Sequence, residues 1–168
     1  MPDTPDRRLY FLLQRAAHRL RVDADRRCLA AADITTAQLG ALYAIRAAPG
    51  ATQQELARTL VQRESAVTAL VGRLVGAGLV ARRPHPDQHR AVRLELTGGG
   101  AEALHRVQPE VDRFNAELRR MLGEEGFDRT SEALRLLAEG PGRAPGTPVR
   151  QAVHEAGEPE HTSGEGSG

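Results

Sequence analysis

Four arginines, Arg82, Arg83, Arg90 and Arg93, stand within twelve residues against a single acid, Asp87. Guanidinium groups at that density suit phosphates and the narrow, strongly negative minor groove of A·T-rich duplexes. Other chemistries are poorly supplied. His85 and His89 flank Asp87 at a spacing that ligates metal on a helix, but Pro86 breaks such a helix and no third strong ligand stands near. No metal site is expected. The sequence shows no Ser/His/Asp arrangement, no phosphate-binding glycine loop and no carboxylate pair placed by two elements, so neither an enzyme nor a cofactor is expected. Cys28, the single cysteine, excludes an intramolecular disulfide and reads as a small packing residue near a helix end rather than a redox sensor.

The arginines need a frame. Leu79–Arg83 is strand-like and Val92–Leu96 alternates apolar with charged. That period of 2 makes a hairpin around the polar, Pro-stiffened tip 84–90, a shape suited to insertion in a minor groove. Ahead of it the period is helical. Val67, Leu70, Val71 and Leu74 follow i, i+3, i+4, i+7 within 64–77, and Gly78 is the stop. Thr52-Gln53-Gln54-Glu55 is a capping box that opens a short helix through Leu56 and Leu60, and a turn at Val61–Arg63 joins the two helices. Thr35-Thr36-Ala37-Gln38 is another box, opening a helix through Leu39, Leu42, Tyr43 and Ile45 that Pro49-Gly50 closes. A short helix, a tight turn, a second helix and a basic hairpin make a winged helix-turn-helix, expected over 33–97 with the recognition helix at 64–77 and the wing at 79–97. In the DNA-binding version the second helix enters the major groove.

Longer helices flank this region. Thr4, Pro5 and Asp6 supply a cap, a first helical position and a first-turn acid, after which Leu9, Leu13, Ala16 and Leu20 form one apolar stripe running to about Cys28–Ala31. Thr97 caps a long helix on which Leu104, Val107, Val111, Phe114, Leu118 and Met121 or Leu122 keep a 3.5-residue repeat, and such a seam calls for another helix against it. Pro109 should kink that helix. Phe127–Ala138, with Leu134 and Leu137, reads as the last helix. The fold class is therefore mainly α with a small β-hairpin wing: a winged helix-turn-helix plus a helical dimerisation region built from 1–32 and 98–140. Stripes this long leave few residues to cover them inside one copy. Leu9, Leu13, Leu20, Leu104, Val111, Phe114, Leu118, Leu134 and Leu137 are accordingly assigned to a homodimer interface.

Charge is uneven along the 168 residues. Residues 1–50 hold 8 Arg against 5 acids and 51–97 hold 7 against 4, whereas 98–140 hold 6 against 9 and 141–168 hold 2 against 4. The wing sits in the basic half. Residues 141–168 hold repeated Pro and Gly and no aromatic, a composition that reads as a disordered acidic tail. The start lacks the pattern of a signal peptide, and the longest uncharged stretch, Ile34–Ile45, falls well short of the ~18 residues that cross a bilayer. A cytoplasmic protein with no membrane partner is expected.

The run Leu60, Ser65, Val67, Thr68, Leu70, Val71, Arg73, Leu74, Gly78, Leu79, Val80, Arg82, with the wing ending Arg90, Leu94, Leu96, Thr97, Gly100, strongly resembles the MarR family of bacterial transcriptional regulators. The resemblance covers about residues 7–140. It implies that Ser65 and Thr68 face DNA, that Gln53 and Gln54 hold phosphates at the start of the preceding helix, that Arg73 supports backbone contact and that Arg90 is the wing arginine; Arg63 and Arg82 are counted with them as DNA-binding candidates. It implies a homodimer on a pseudo-palindromic operator in double-stranded DNA, with half-sites about one helical turn apart. It also implies a repressor released by a small-molecule effector of unknown identity, held between the dimer helices and the reading heads, where His18 and Tyr43 are candidates. The departures are local. Arg63 then Glu64 stand where the family often has an acid then a base, Ala69 where it often has Arg, Gly72 where it often has Asp, and Gln88 where it has the wing Asp. Gly72 and Gly76 also loosen the recognition helix, by about 1 kcal/mol each relative to Ala. An alternative reading is a helical dimer that binds a small molecule or a protein partner and has lost specific DNA binding.

Overall fold

A computed structural model describes residues 8–84 and 92–139. Six helices and one hairpin follow in the order α1 (Leu9–Ala32), α2 (Thr36–Ala47), α3 (Gln53–Thr59), α4 (Glu64–Gly76), β1 (Val80–Pro84), β2 (Val92–Leu96), α5 (Gly98–Leu122) and α6 (Glu124–Glu139). No single described helix is long and apolar enough to cross a membrane. The chain divides into two compact units between Asp128 and Arg129, within α6.

Local chemistry sets most boundaries. Thr35 and Thr52 both close full capping boxes, with Gln38 and Glu55 returning a side-chain bond to the cap backbone. Thr97 caps α5 by accepting from the Gly100 N–H and donates its hydroxyl to the Gly78 carbonyl, 2.6 Å away, tying the end of α4 to the start of α5. Gly78 itself has φ +71°, the left-handed cap expected of it. Gly100 is fixed by space: a Cβ there would lie 2.2 Å from the Leu79 carbonyl oxygen.

Two boundaries differ from expectation. α1 begins at Leu9 behind Arg8, which makes no side-chain cap, and Thr4, Pro5 and Asp6 lie outside the described residues. α5 is one helix from Gly98 to Leu122 with Pro109 inside it, as the repeat from Leu104 onward leads one to expect. α6 begins at Glu124, three residues before the expected Phe127, because Glu124 and Glu125 favour a first helical turn. The tail 141–168 lies outside the described residues.

The hairpin is antiparallel, pairing Val80 with Leu96, Arg82 with Leu94, Arg83 with Arg93 and Pro84 with Val92. On the other edge of β2, the Gly50 N–H donates to the Leu94 carbonyl and the Leu94 N–H to the Ala51 carbonyl, at 3.0 and 2.9 Å. The α2–α3 connection thus adds a short third rung to the wing. A core of Ile34, Leu42, Ile45, Leu56, Val67, Val71, Leu74, Val80, Leu94 and Val107, each at most 2% exposed, holds α2, α3, α4, the hairpin and the first half of α5 together. Leu104 belongs to this core at 2% exposure. That corrects its assignment to a second copy: the side chain is already buried by its own chain, and Val111 packs against the same cluster.

Candidate nucleic-acid interface

α4 is held by one face. Val67, Leu70, Val71 and Leu74 are 0–3% exposed, which turns Ser65, Thr68, Ala69, Gly72 and Arg73 outward. Arg63 is the N-cap, with extended backbone and no side-chain cap, and is exposed. The turn before it carries Val61 at φ +51°, 78% exposed, a conformation β-branched residues disfavour.

The two glutamines opening α3 reach in different directions. Gln53 Oε1 accepts from the Arg82 guanidinium of the wing at 3.4 Å, and Gln54 Nε2 donates to Glu64 at the start of α4 at 3.3 Å. α3 therefore touches both the wing and the recognition helix through neighbouring side chains. No local sequence signal reveals either pairing.

The wing arginines split between two faces. Arg82 lies on the side of Leu94. Arg83 and Arg93 lie opposite one another on the other side with Glu95, whose carboxylate is 3.7 Å from Arg83 Nε and 3.1 Å from an Arg93 terminal nitrogen. Glu95 is thus a counter-ion to two of the four wing cations. Arg93 Nε is buried without a hydrogen-bond partner. Arg90 lies outside the described residues, as do His85, Asp87 and His89. Among the described residues no three His, Cys, Asp or Glu side chains cluster as metal ligands.

Of the residues assigned to a second copy, Leu9 is 57% exposed, whereas Leu13, Leu20, Phe114 and Leu118 are half-buried. Tyr10, Phe11 and Leu12 are also exposed on the first turn of α1, at 65%, 59% and 41%. In the second unit Leu134 and Leu137 are 46% and 56% exposed. Arg27 links α1 to α5: it donates to both Glu117 oxygens, at 2.9 and 2.6 Å, and stands over the Phe114 ring.

The two residues assigned to an effector lie on different helices, α1 and α2. His18 is exposed on α1. Tyr43 donates its hydroxyl to Gln108 Oε1 on α5 at 3.0 Å and carries the Arg46 guanidinium over its ring, and burial pushes its phenol up. A cavity of about 150 Å³ lies instead among α1, α2 and α5, lined by Ala24, Arg27, Cys28, Thr36, Leu39, Glu110, Val111 and Phe114. Cys28 is 4% exposed there, and burial pushes its thiol up, away from the reactive thiolate.

These features can be compared with known proteins. A model of the MarR family matches residues 32–91. The multiple antibiotic resistance protein MarR of Escherichia coli (strain K12) is 44% identical over 69 residues, 41% of this chain and 48% of that protein. The chain thus spans about half the length of the curated relatives it matches. The transcriptional repressor CouR is 31% identical with TM-score 0.72: bound to a 23-mer DNA duplex the match covers 77% of this chain and 92% of CouR, and bound to p-coumaroyl-CoA 79% and 93%. The reduced form of MarR from E. coli is 32% identical over 73% of this chain and 93% of that one, with TM-score 0.59. With the same order of helix-turn-helix, wing and flanking helices, and identity above three in ten across nearly the whole of two solved relatives, the chain belongs to the MarR family of transcription regulators.

Proposed function

We propose that two copies of this chain bind a pseudo-palindromic site in double-stranded DNA and repress transcription until a small molecule releases them. The observation that carries this reading is the outward face of α4, with Ser65 and Thr68 exposed beside a wing whose Arg82 is held by Gln53. A polar helix face flanked by cations is what a major groove and its phosphates require. The relative CouR, 31% identical, has been solved on a DNA duplex. In this reading Gln53, Gln54, Arg63, Arg73 and Arg82 meet phosphate, Arg90 enters the minor groove at the wing tip, and Ser65 and Thr68 meet base edges.

Dimerisation is supported by the apolar side chains at the start of α1. Leu9, Tyr10, Phe11 and Leu12 are all more than 40% exposed, and a second copy would cover them. Effector release is supported by the cavity among α1, α2 and α5. At about 150 Å³ it takes a group the size of one small ring. CouR has been solved with p-coumaroyl-CoA. Occupation of this cavity would move α1 and α5 relative to α2 and favour a spacing of the two α4 helices that no longer fits successive grooves.

The test is binding of the purified chain to mixed-sequence and selected duplexes over a salt series. The reading expects affinity to fall steeply with salt as phosphate contacts are lost, and Arg82→Ala or Arg90→Ala to weaken binding without changing oligomeric state. Absent or salt-independent binding would leave the other reading, a helical dimer that engages only a small molecule or protein.

A further inference from the structure

α4 has short side chains where bases are to be read. Opposite its buried face it presents Ser65, Ala69, Gly72 and Gly76, with Thr68 on one flank and Arg73 on the other. Arg73 stands about 12 Å further along the axis than Ser65, beyond the N-terminal half that reads bases. Arg63 precedes the helix with extended backbone and belongs with the phosphate contacts. From Glu64 to Gly72 the helix therefore carries no Arg, Lys, Asn or Gln, the side chains that pair bidentately with guanine or adenine.

What stands there instead is complementary to pyrimidines. A carboxylate accepts from the N4 amine of cytosine, and a methyl group packs against the C5 methyl of thymine. Glu64 supplies the carboxylate, with Gln54 Nε2 donating to one of its oxygens at 3.3 Å from α3. Thr68 and Ala69 supply exposed methyl groups one turn further on. The glycines bear on how near the helix comes. A Cβ at Gly72 or Gly76 would meet nothing within 4 Å, and neither residue has positive φ. Neither packing nor backbone conformation within the chain calls for glycine at these two positions, whereas close approach of a helix to a ligand does.

We infer that α4 reads its half-site through pyrimidine edges, Glu64 at a cytosine amine and Thr68 and Ala69 at thymine methyls, with no bidentate guanine contact from the helix. This rests on the DNA-binding reading above. It is tested with the full chain by selecting bound sequences from random duplexes and then altering single base atoms. Replacing a contacted thymine by deoxyuridine, which removes only the C5 methyl, should weaken binding about fourfold, the burial of one methyl group expressed as a ratio. Thr68→Ser should abolish the preference for thymine over deoxyuridine at one position, and Glu64→Gln should relax the choice of cytosine at another. 7-Deazaguanine, which lacks the N7 acceptor, should be neutral within the α4-covered positions. Gly72→Ala should raise the melting temperature and yet weaken binding. The inference is overturned if deoxyuridine is neutral throughout, if 7-deazaguanine at those positions costs tenfold, or if Gly72→Ala binds like the parent. Failure of the underlying reading looks different: no sequence is enriched at all.

Discussion

Thr36 donates both its backbone N–H and its hydroxyl to one carboxylate oxygen of Asp25, at 2.7 and 2.6 Å. The pair ties α1 to the first turn of α2, so the helix proposed to dimerise and the helix that begins the DNA-reading region share an anchor. The Thr36 hydroxyl bond is the main cause that holds the Asp25 carboxyl below its ordinary range, with the Thr36 N–H adding to it and partial burial opposing.

A carboxyl depressed in the folded state adds stability that is present above its unfolded value, about pH 4, and lost as pH falls through the lower folded value. Asp25→Asn keeps the shape and removes the charge. It should lower the unfolding free energy at neutral pH by about 1 kcal/mol, with a smaller difference from the parent in strong acid. Urea melts at both pH values measure this, and identical midpoints at neutral pH would show that the anchor contributes nothing.

Glu95 neutralises Arg83 and Arg93 across the wing. Glu95→Gln should free both guanidinium groups for phosphate. Affinity for duplex DNA should rise at low salt, and the slope of log affinity against log salt should steepen by up to about 2, about 0.9 for each arginine that reaches a phosphate. A small fall in melting temperature should accompany this, because Arg83 and Arg93 then face one another without a counter-ion. An unchanged slope would place these arginines away from DNA.

Val61 adopts φ +51° in the turn between α3 and α4, 78% exposed and with little packing to lose. The left-handed region costs such a residue about 1–2 kcal/mol, and glycine occupies it freely. Val61→Gly should stabilise the fold by about 1 kcal/mol, net of the entropy glycine loses on folding, and raise the melting temperature by a few degrees. Calorimetry checks it; a lower melting temperature would mean the side chain holds the turn through contact.

Gly100 answers the opposite question. A Cβ there would meet the Leu79 carbonyl oxygen at 2.2 Å and Leu96 Cδ1 at 2.8 Å, so either the backbone or the start of α5 must shift. Gly100→Ala should cost about 3 kcal/mol or prevent folding, whereas Gly98→Ala, with nothing within 4 Å, should be tolerated. Equal stability of the two variants would contradict the packing of α5 against the Leu79 carbonyl.

Much of this architecture is legible in the sequence because its signals are local. Thr35 and Thr52 announce helix starts through side chains three residues away, and Gly78 marks a stop through its own backbone. The change of period from 3.6 to 2 after Gly78 locates the hairpin. What escapes is what depends on a distant partner. The seam through Leu104 and Val111 is visible as a repeat, but a repeat does not say whether its partner lies in the same chain, and Leu104 turns out to be core. Gln53 and Gln54 look alike in sequence and part ways only when the wing and α4 fold up on either side. Glu95 reads as the polar face of a strand until the register sets it beside two arginines. Nothing local in the sequence marks the cavity among α1, α2 and α5, because it forms where Cys28, Val111 and Phe114, far apart along the chain, come together.

In the proposed complex two copies present two α4 helices to successive turns of one duplex. The most direct measurement is sedimentation of the protein with its selected duplex, combined with a footprint of that complex. The expected result is two chains per duplex, a footprint with two matching half-sites about 10 base pairs apart, and loss of the complex as salt rises from about 50 to about 200 mM. One chain per duplex, or two chains on a single unrepeated site, would contradict it.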